Sequence, residues 1–404
     1  MFWSGWPSFL KRCPQTISRL LLLTLATLGI LGFLINMHLS LISSVYGVCF
    51  PKTNIVFLKT HKCAGSSIQN ILMRYGDNHN LTFVLPKDGN YLGHPEYFNK
   101  AMVAWPRLPS YNILAHHTRF SYYDIRSLMP WNSIYITIVR DPVEIFESSY
   151  AYYGLDKFFG EDIHSFIRKL PKDSEKVANR RYREKFGVNQ MMFDLGADPK
   201  IFNNDFSILR YISKLDSWFD LVLVADRMDE SLVLLRNLLC WDIDDVVTFK
   251  LNARNPKFKS KLNDNEKAKL RAFNRADDLL YKHFLEKFKR QIDAFDKQRL
   301  SAEIAELNRK TQNWYDLCVK GEKAITTPSS KPKYYYNPRV MILEPKSNSN
   351  NITCKSMTME ELPYTDILRN KQMTNLPRTY RQLLLRSRMY SKEYSMYLSN
   401  SKKL

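Results

Sequence analysis

A polar loop between a buried strand and a helix constrains the fold of this chain more than any other feature. The run 54–58 predicts a strand, and apolar side chains at helical spacing predict a helix over 66–76. Between them lies the anion loop, Lys59-Thr60-His61-Lys62-Cys63-Ala64-Gly65-Ser66-Ser67. Backbone N–H groups at a helix N-terminus bind anions, and hydroxyls and an ammonium add donors. The anion loop therefore predicts a phosphate site; an ordinary turn capped by serine is the alternative.

The order of residues in the anion loop differs from that of nucleoside triphosphatases. Their loop reads G-x-x-x-x-G-K-[ST], with Lys directly after the second Gly. Here Lys62 comes three residues before Gly65, and no glycine opens the loop. The order K-x-x-G-[ST]-[ST] instead resembles the loop that holds the 5′-phosphosulfate group in sulfotransferases.

Strands alternate with helices through the middle of the chain. Apolar runs predict further strands at 81–85, 111–116, 133–139 and 219–224, and helices at 121–129, 142–153 and 228–239. Helical spacing also covers 162–216, and 264–316 predicts one or two long charged helices, before the pattern decays from about 325. The alternation predicts an α/β fold with a central parallel sheet flanked by helices. Ligands of such sheets bind at the carboxyl ends of the strands.

A second anion-binding segment follows the strand 133–139. Arg140 stands at the carboxyl end of this strand, and Ser148 lies two helical turns further on. A guanidinium together with a hydroxyl is a good receptor for a phosphate dianion. The alternative is that Arg140 pairs with Asp141 or Glu144 and braces the turn.

The charge of the chain indicates anionic partners. The formal net charge is +20 over 404 residues. We do not expect nucleic acid among the partners, because the basic residues are scattered and the sequence carries no zinc-finger spacing or RNA-binding aromatic motif. The remaining anionic partners are nucleotides and membranes.

Residues 20–42 predict a transmembrane signal anchor. The run 20–35 is free of charge, and apolar character continues to Ile42, about 23 residues in all, which is enough to span a bilayer. Lys11, Arg12 and Arg19 precede the run and keep the N-terminus cytosolic. A cleaved signal peptide is the alternative. The expected segments are a cytosolic tail 1–19, the anchor 20–42, a stem 43–52, a luminal domain 53–320 and a partly irregular extension 321–404.

Cysteines and glycosylation sequons fit a luminal domain. The sequence leaves open the pairing of Cys63, Cys240, Cys318 and Cys354. We favour Cys318 with Cys354, since both lie in the C-terminal portion away from the anion loop. The cysteine spacing fits no zinc pattern. Asn80-Leu81-Thr82 and Asn351-Ile352-Thr353 are sequons for N-glycosylation.

Several motifs together resemble the galactose 3-O-sulfotransferase family. They are Phe57–Lys62, His117–Phe120, Arg140–Pro142 with Phe146–Ser149, and Asp229–Arg236. The resemblance extends from about residue 52 to 320 and implies the P-loop-like sulfotransferase fold. It also implies transfer of sulfate from 3′-phosphoadenosine 5′-phosphosulfate to the 3-hydroxyl of a terminal β-galactose on a galactosylceramide-like glycolipid or a glycan. Cys63 departs from the family, which often has Thr there.

The resemblance assigns Lys62 as the cation at the leaving oxygen, because it matches the loop lysine of sulfotransferases. The 5′-phosphosulfate is expected on Lys59, Thr60, Lys62, Gly65, Ser66 and Ser67. The 3′-phosphate is expected on Arg140 and Ser148. These donors make a metal unnecessary.

His117 is the expected base that accepts the proton of the acceptor hydroxyl. It closes the predicted strand 111–116, at the rim where the acceptor enters, and an imidazole suits proton removal near neutral pH. The alternative is that His117 has only a structural role at this rim. His61 and His79 are the other candidates for the base. His116 points to the opposite face of the strand.

The sequence thus predicts a single-pass type II Golgi membrane enzyme with its domain in the lumen. A luminal nucleotide-dependent kinase and an inactive luminal glycan-binding protein that keeps the fold are the two alternatives. Whether the chain forms homo-oligomers is left open.

Overall fold

The computed structural model describes Thr27 and residues 49–104, 108–170, 181–182, 186–324, 337, 339–346 and 351–374. The chain divides into two units, residues 1–51 and 52–404, and the fold below belongs to the second. The predicted anchor 20–42 lies outside the described residues, Thr27 excepted. None of the helices within the described residues has the length and apolar character that a membrane span requires.

The elements of the second unit alternate much as the sequence predicts. The strands are β1 (Ile55–Leu58), β2 (Ile113–Leu114), β3 (Ile134–Val139), β4 (Arg181–Tyr182), β5 (Phe186–Gly187), β6 (Leu221–Val224), β7 (Ala253–Arg254), β8 (Val319–Ala324) and β9 (Val340–Pro345). The first helices are α1 (Gly65–Asn78), α2 (Tyr122–Arg126), α3 (Pro142–Tyr152), α4 (Leu155–Phe159), α5 (Ile163–Arg168), α6 (Gln190–Asp194) and α7 (Asp205–Trp218). The remaining helices are α8 (Met228–Leu239), α9 (Ile243–Val246), α10 (Asp264–Phe273), α11 (Arg275–Asp293), α12 (Lys297–Cys318), α13 (Ile352–Thr358) and α14 (Glu361–Thr374).

A four-stranded parallel sheet forms the centre of the unit, in the order β2-β1-β3-β6. Its strands are continuous apolar runs, and every residue of β1 and β6 is buried. Such runs are typical of parallel strands covered on both faces. Helices α8 and α11 contact β6, and α12 packs on α8. The α/β fold with a parallel sheet flanked by helices is therefore confirmed.

The prediction of a second strand over 81–85 is wrong. Only Phe83 forms a parallel bridge, to Ile113. Side chains bond the backbone around it: Asn112 Oδ1 accepts from the Thr82 N–H at 3.0 Å, and Gln372 Oε1 accepts from the Phe83 N–H at 2.9 Å. The strand predicted over 111–116 is shorter than expected and covers only Ile113–Leu114.

The charged segment 264–316 forms three helices, where one or two were expected. Asn274 interrupts the pattern between α10 and α11, and its buried side chain donates to the Leu270 carbonyl at 2.9 Å. Asp296 then caps α12 by accepting from the backbone N–H of Arg299 at 2.6 Å. The β4–β5 hairpin within 162–216 was also not predicted.

The extension 321–404 contains a strand and two helices that the sequence did not predict. Strand β9 pairs antiparallel with both β7 and β8. The predicted disulfide between Cys318 and Cys354 is present, and it ties α12 to α13. Helices α13 and α14 both pack against α1, which leads out of the anion loop. Part of the extension thus belongs to the body that carries the loop.

Candidate active site

The anion loop turns sharply between β1 and α1. Lys62 and Ala64 both have left-handed backbone conformations, with φ of 60° and 61°. Ala64 is the N-cap of α1 and provides no side-chain cap, so the first N–H groups of the helix are available to an anion. A Cβ on Gly65 would lie 2.8 Å from the Lys59 Cγ atom, which explains the glycine. Cys63 is buried, and its thiol donates to the His61 carbonyl at 3.3 Å.

Lys62 lies in a cluster of positive charges. Its Nζ atom stands 3.6 Å from the centre of the Tyr152 ring, a cation–π contact. Burial lowers the pKa of this partly exposed lysine to about 7, with further lowering by Arg140 and Arg254. Sequence reasoning missed Arg254, which pairs with the buried carboxylate of Glu147, because no motif marks it. A cluster of cations that repel one another binds a multivalent anion well.

Arg140, from the second predicted anion-binding segment, lies directly beside the anion loop. Its Nη1 atom donates to the Lys62 carbonyl at 3.1 Å. Its Nη2 atom is 3.3 Å from the Glu144 carboxylate, so the bracing contact considered from the sequence also exists. Asp141 pairs with Arg271 and caps α3. Ser148 is buried in α3.

Three predicted donor-binding side chains are engaged with the protein itself. The buried Lys59 ammonium donates to Gln69 Oε1 at 2.7 Å and pairs with Glu361. Thr60 Oγ1 donates to the Ile138 carbonyl at 2.6 Å. Ser67 Oγ donates to the Phe249 carbonyl at 2.8 Å. These contacts hold the shape of the anion loop, whereas Ser66 is partly exposed.

His117 lies against the same loop and is held in one tautomer. Its Nδ1 atom is 3.1 Å from the Lys59 carbonyl. A carbonyl only accepts, so Nδ1 carries the proton and Nε2 keeps its lone pair. Burial holds the pKa of His117 well below its usual value, and His61, Lys59 and His94 lower it further. The imidazole is therefore neutral, the form a base requires.

His116 points elsewhere. Its Nε2 atom is 2.9 Å from the Thr365 hydroxyl on α14. The Thr365 hydroxyl in turn donates to the Glu361 carbonyl at 2.8 Å, so it accepts from His116. His79 lies at the other end of α1 from the loop, where its ring bonds the Tyr75 carbonyl at 2.8 Å. Neither ring accompanies His117 at the loop.

A buried carboxylate that sequence reasoning missed organises the histidines. Asp194 Oδ2 accepts from both the backbone N–H and the Nδ1 of His61, each at 2.8 Å. Asp194 Oδ1 lies 3.2 Å from His94 Nε2 and 2.7 Å from Gln190 Nε2. Burial alone would raise the pKa of Asp194, but His61 and His94 hold it well below its usual range. No local pattern marks Asp194, which sits 133 positions from His61.

The sequence is similar to those of several sulfotransferases. A family model described as galactose-3-O-sulfotransferase matches residues 10–372. The galactosylceramide sulfotransferase of Homo sapiens is 36% identical over 287 residues, 69% of this chain and 67% of the relative. The galactose-3-O-sulfotransferase 2 of Homo sapiens is 32% identical over 371 residues, 85% of this chain and 90% of the relative.

A solved structure also resembles the chain, but distantly. A sulfotransferase from Alicyclobacillus acidocaldarius aligns with 60% of this chain and 100% of its own, with 13% identity and a TM-score of 0.31. That likeness is too loose to carry an argument about residues. The family model and the named relatives carry the assignment, and they confirm the resemblance read from the motifs. The chain belongs to the galactose-3-O-sulfotransferase family and is a carbohydrate sulfotransferase.

Proposed function

We propose that this protein transfers sulfate from 3′-phosphoadenosine 5′-phosphosulfate to the 3-hydroxyl of a terminal β-galactose. The acceptor is a glycolipid of the galactosylceramide type or a galactose-terminated glycan, in line with the names of the relatives. One observation carries the proposal: the Arg140 guanidinium bonds the Lys62 carbonyl, so two anion-binding segments meet in one site. A nucleotide with phosphates at both ends of its ribose needs two such anchors.

Each side chain has a separate role in the transfer. His117 Nε2 takes the proton of the acceptor hydroxyl while that oxygen forms a bond to sulfur. The bond between sulfur and the bridging oxygen breaks, and the electron pair stays on the 5′-phosphate of adenosine 3′,5′-bisphosphate. The Lys62 ammonium stabilises that oxygen, and the first N–H groups of α1 with Ser66 hold the 5′-phosphate. Arg140 and Ser148 hold the 3′-phosphate.

We propose in addition that the protein is a single-pass type II protein of the Golgi membrane, anchored by residues 20–42. Two sequons support exposure to the secretory lumen. Asn80 is exposed just past the end of α1. Asn351 is exposed at the start of α13, where its Oδ1 atom accepts from the backbone N–H of Thr353 at 2.9 Å. Glycosidase treatment of the full chain should lower its apparent mass, and Asn80→Gln with Asn351→Gln should abolish that shift.

The activity is tested on the full chain in a detergent extract, with sulfur-labelled donor and galactosylceramide or N-acetyllactosamine as acceptor. We expect label on the 3-hydroxyl of galactose, as assigned by NMR of the product. Lys62→Ala should lower turnover by about a hundredfold or more, as expected for loss of a charge that stabilises the transition state. Lys297→Ala, an exposed lysine at the start of α12, is the matched control and should keep wild-type turnover.

Two outcomes would overturn the proposal. Label from the γ-phosphate of ATP on the acceptor, without sulfate transfer, would make the protein a kinase. Tight binding of adenosine 3′,5′-bisphosphate with no transfer to any galactoside would make it a binding protein that keeps the fold.

A further inference from the structure

We infer that Tyr91 is the ring on which the acceptor galactose stacks, and that Asp194, acting through His61, is the positioning residue that holds this ring beside His117. The inference rests on the proposed function and specifies the acceptor side of the same site. Three contacts carry it, and they run from the protein interior to its surface.

The innermost contact is between Asp194 and His61. Both side chains are buried, and Asp194 Oδ2 accepts from His61 Nδ1 at 2.8 Å. Because the carboxylate is ionised, it only accepts, and the proton lies on Nδ1. His61 Nε2 then faces the Tyr91 hydroxyl. A carboxylate that orients an imidazole in this way sets both its tautomer and its plane.

The second contact joins His61 to Tyr91 and orients the Tyr91 ring. His61 Nε2 lies 3.2 Å from the Tyr91 hydroxyl, within hydrogen-bond distance. Tyr91 is also held through its backbone, since it forms a parallel bridge with His117 and the Leu92 N–H donates to the His117 carbonyl at 2.7 Å. The ring is therefore fixed at both its polar tip and its Cα.

The third contact sets the ring beside the base. Tyr91 stacks on His117 with ring centres 5.1 Å apart and an angle of 16° between planes. His117 stacks in turn on His61, with centres 4.2 Å apart. Tyr91 nevertheless remains 36% exposed, whereas His117 is 8% exposed. The stack thus presents an aromatic side chain to solvent next to a neutral imidazole.

A galactose unit fits this arrangement chemically. One face of the galactose ring is lined by C–H groups, which pack on aromatic rings, while its hydroxyls need polar partners at the edge. A sugar on Tyr91 places hydroxyls beside His117, and the rigid stack limits which of them reaches Nε2. The contacts that run from Asp194 through His61 to Tyr91 therefore affect acceptor binding and the attack of the hydroxyl.

The test measures steady-state kinetics of full-chain variants, with donor and acceptor varied separately. Tyr91→Ala should raise the acceptor KM about tenfold and leave the dissociation constant of adenosine 3′,5′-bisphosphate unchanged. Tyr91→Phe keeps the ring and should raise the acceptor KM less than Tyr91→Ala does. Tyr123→Ala, whose ring is 76% exposed on α2, is the matched control and should behave as wild type.

A double-mutant cycle tests the part played by Asp194. Asp194→Asn should lower kcat/KM for the acceptor, and its combination with Tyr91→Ala should cost little more than the worse single variant. Additive losses in the cycle would overturn the positioning role, because a merely structural Asp194 acts independently of Tyr91. Melting temperatures of all four proteins show that the compared enzymes are folded.

The remaining outcomes separate this inference from the proposed function. An unchanged acceptor KM in Tyr91→Ala, with sulfate still transferred to galactose, would overturn only the stacking of galactose on Tyr91. Absence of galactoside sulfation in the wild type would overturn the proposed function. The ligand atoms of His61, His94 and Asp194 lie within 4.8 Å of one another, so chelator treatment is included. Activity lost on chelation and restored by Zn²⁺ would replace the hydrogen-bond network with a metal site.

Discussion

The carbonyl of Lys59 accepts a hydrogen bond from His117 Nδ1 at 3.1 Å, so the anion loop itself holds the expected base. The loop proposed to bind the donor and the residue proposed to deprotonate the acceptor are therefore hydrogen-bonded to each other. Such coupling keeps the two reactants in a fixed relation, which lowers the entropic cost of bringing them together.

The first prediction concerns His117 as the base. His117→Ala should lower kcat by about a hundredfold to ten-thousandfold while the affinity for adenosine 3′,5′-bisphosphate stays the same. Because burial holds the pKa of His117 well below its usual value, the base stays neutral as the pH falls past 6.5. The wild-type kcat should therefore not decline in that range. His79→Ala, at the far end of α1, is the control. A wild-type kcat in His117→Ala would exclude the base role.

The second prediction concerns the proton on Lys62. Burial and the neighbouring Arg140 and Arg254 lower the pKa of Lys62 to about 7, so the free enzyme loses this charge as the pH rises through that value. A bound anion raises the pKa again, so adenosine 3′,5′-bisphosphate should bind with proton uptake above about pH 7 and with little uptake well below it. Calorimetry in buffers of different ionisation enthalpy measures the uptake.

Lys62→Arg is the matched variant for this measurement. The guanidinium keeps its charge across the range, so the proton uptake should vanish. Uptake that persists in Lys62→Arg would assign the titration to another group.

The third prediction concerns recognition of the 3′-phosphate. Arg140→Ala should weaken binding of adenosine 3′,5′-bisphosphate by about 1.5–3 kcal/mol, roughly tenfold to a hundredfold, the range for hydrogen bonds to charged groups. Binding of adenosine 5′-monophosphate should hardly change. Arg126→Ala removes an exposed arginine from α2 and serves as the control. Equal losses for both nucleotides would move Arg140 from the 3′-phosphate to the rest of the nucleotide.

The fourth prediction separates a structural Lys59 from a donor-binding one. Glu361→Leu leaves the buried Lys59 ammonium without its carboxylate and should cost about 3–5 kcal/mol of unfolding free energy. Lys59→Met combined with Glu361→Leu should recover most of this loss, because no charge is then left buried. Chemical denaturation measures both.

Donor binding by the double variant then decides the role of Lys59. Wild-type affinity for adenosine 3′,5′-bisphosphate is expected if Lys59 only supports the loop, as its contacts with Gln69 and Glu361 indicate. Affinity lost in the double variant, with stability recovered, would show that Lys59 reaches the nucleotide.

The family, the α/β class and the residues of the anion loop all follow from the amino-acid sequence. Strand β3 and helices α3 and α8 begin and end within about one residue of their predicted positions, because apolar periodicity and a proline at a helix start are local signals. Lys62 and Arg140 were both assigned to loops that follow strands of one predicted sheet. Parallel strands place their carboxyl ends at one edge of the sheet, and the two residues meet because β1 and β3 are adjacent in the structure.

The residues that support those groups can be identified only from the three-dimensional structure. Glu361 meets Lys59 across 302 positions, and Asp194 meets His61 across 133. Such contacts arise when whole elements pack to bury apolar surface, and a single buried carboxylate leaves no periodic trace in the sequence. The tautomer of His117 likewise depends on the carbonyl of Lys59, 58 positions away, and the Tyr91 hydroxyl lies 3.2 Å from His61 Nε2. The segments proposed to bind the donor therefore carry local sequence signals, whereas the arrangement of the proposed acceptor side is a product of the fold.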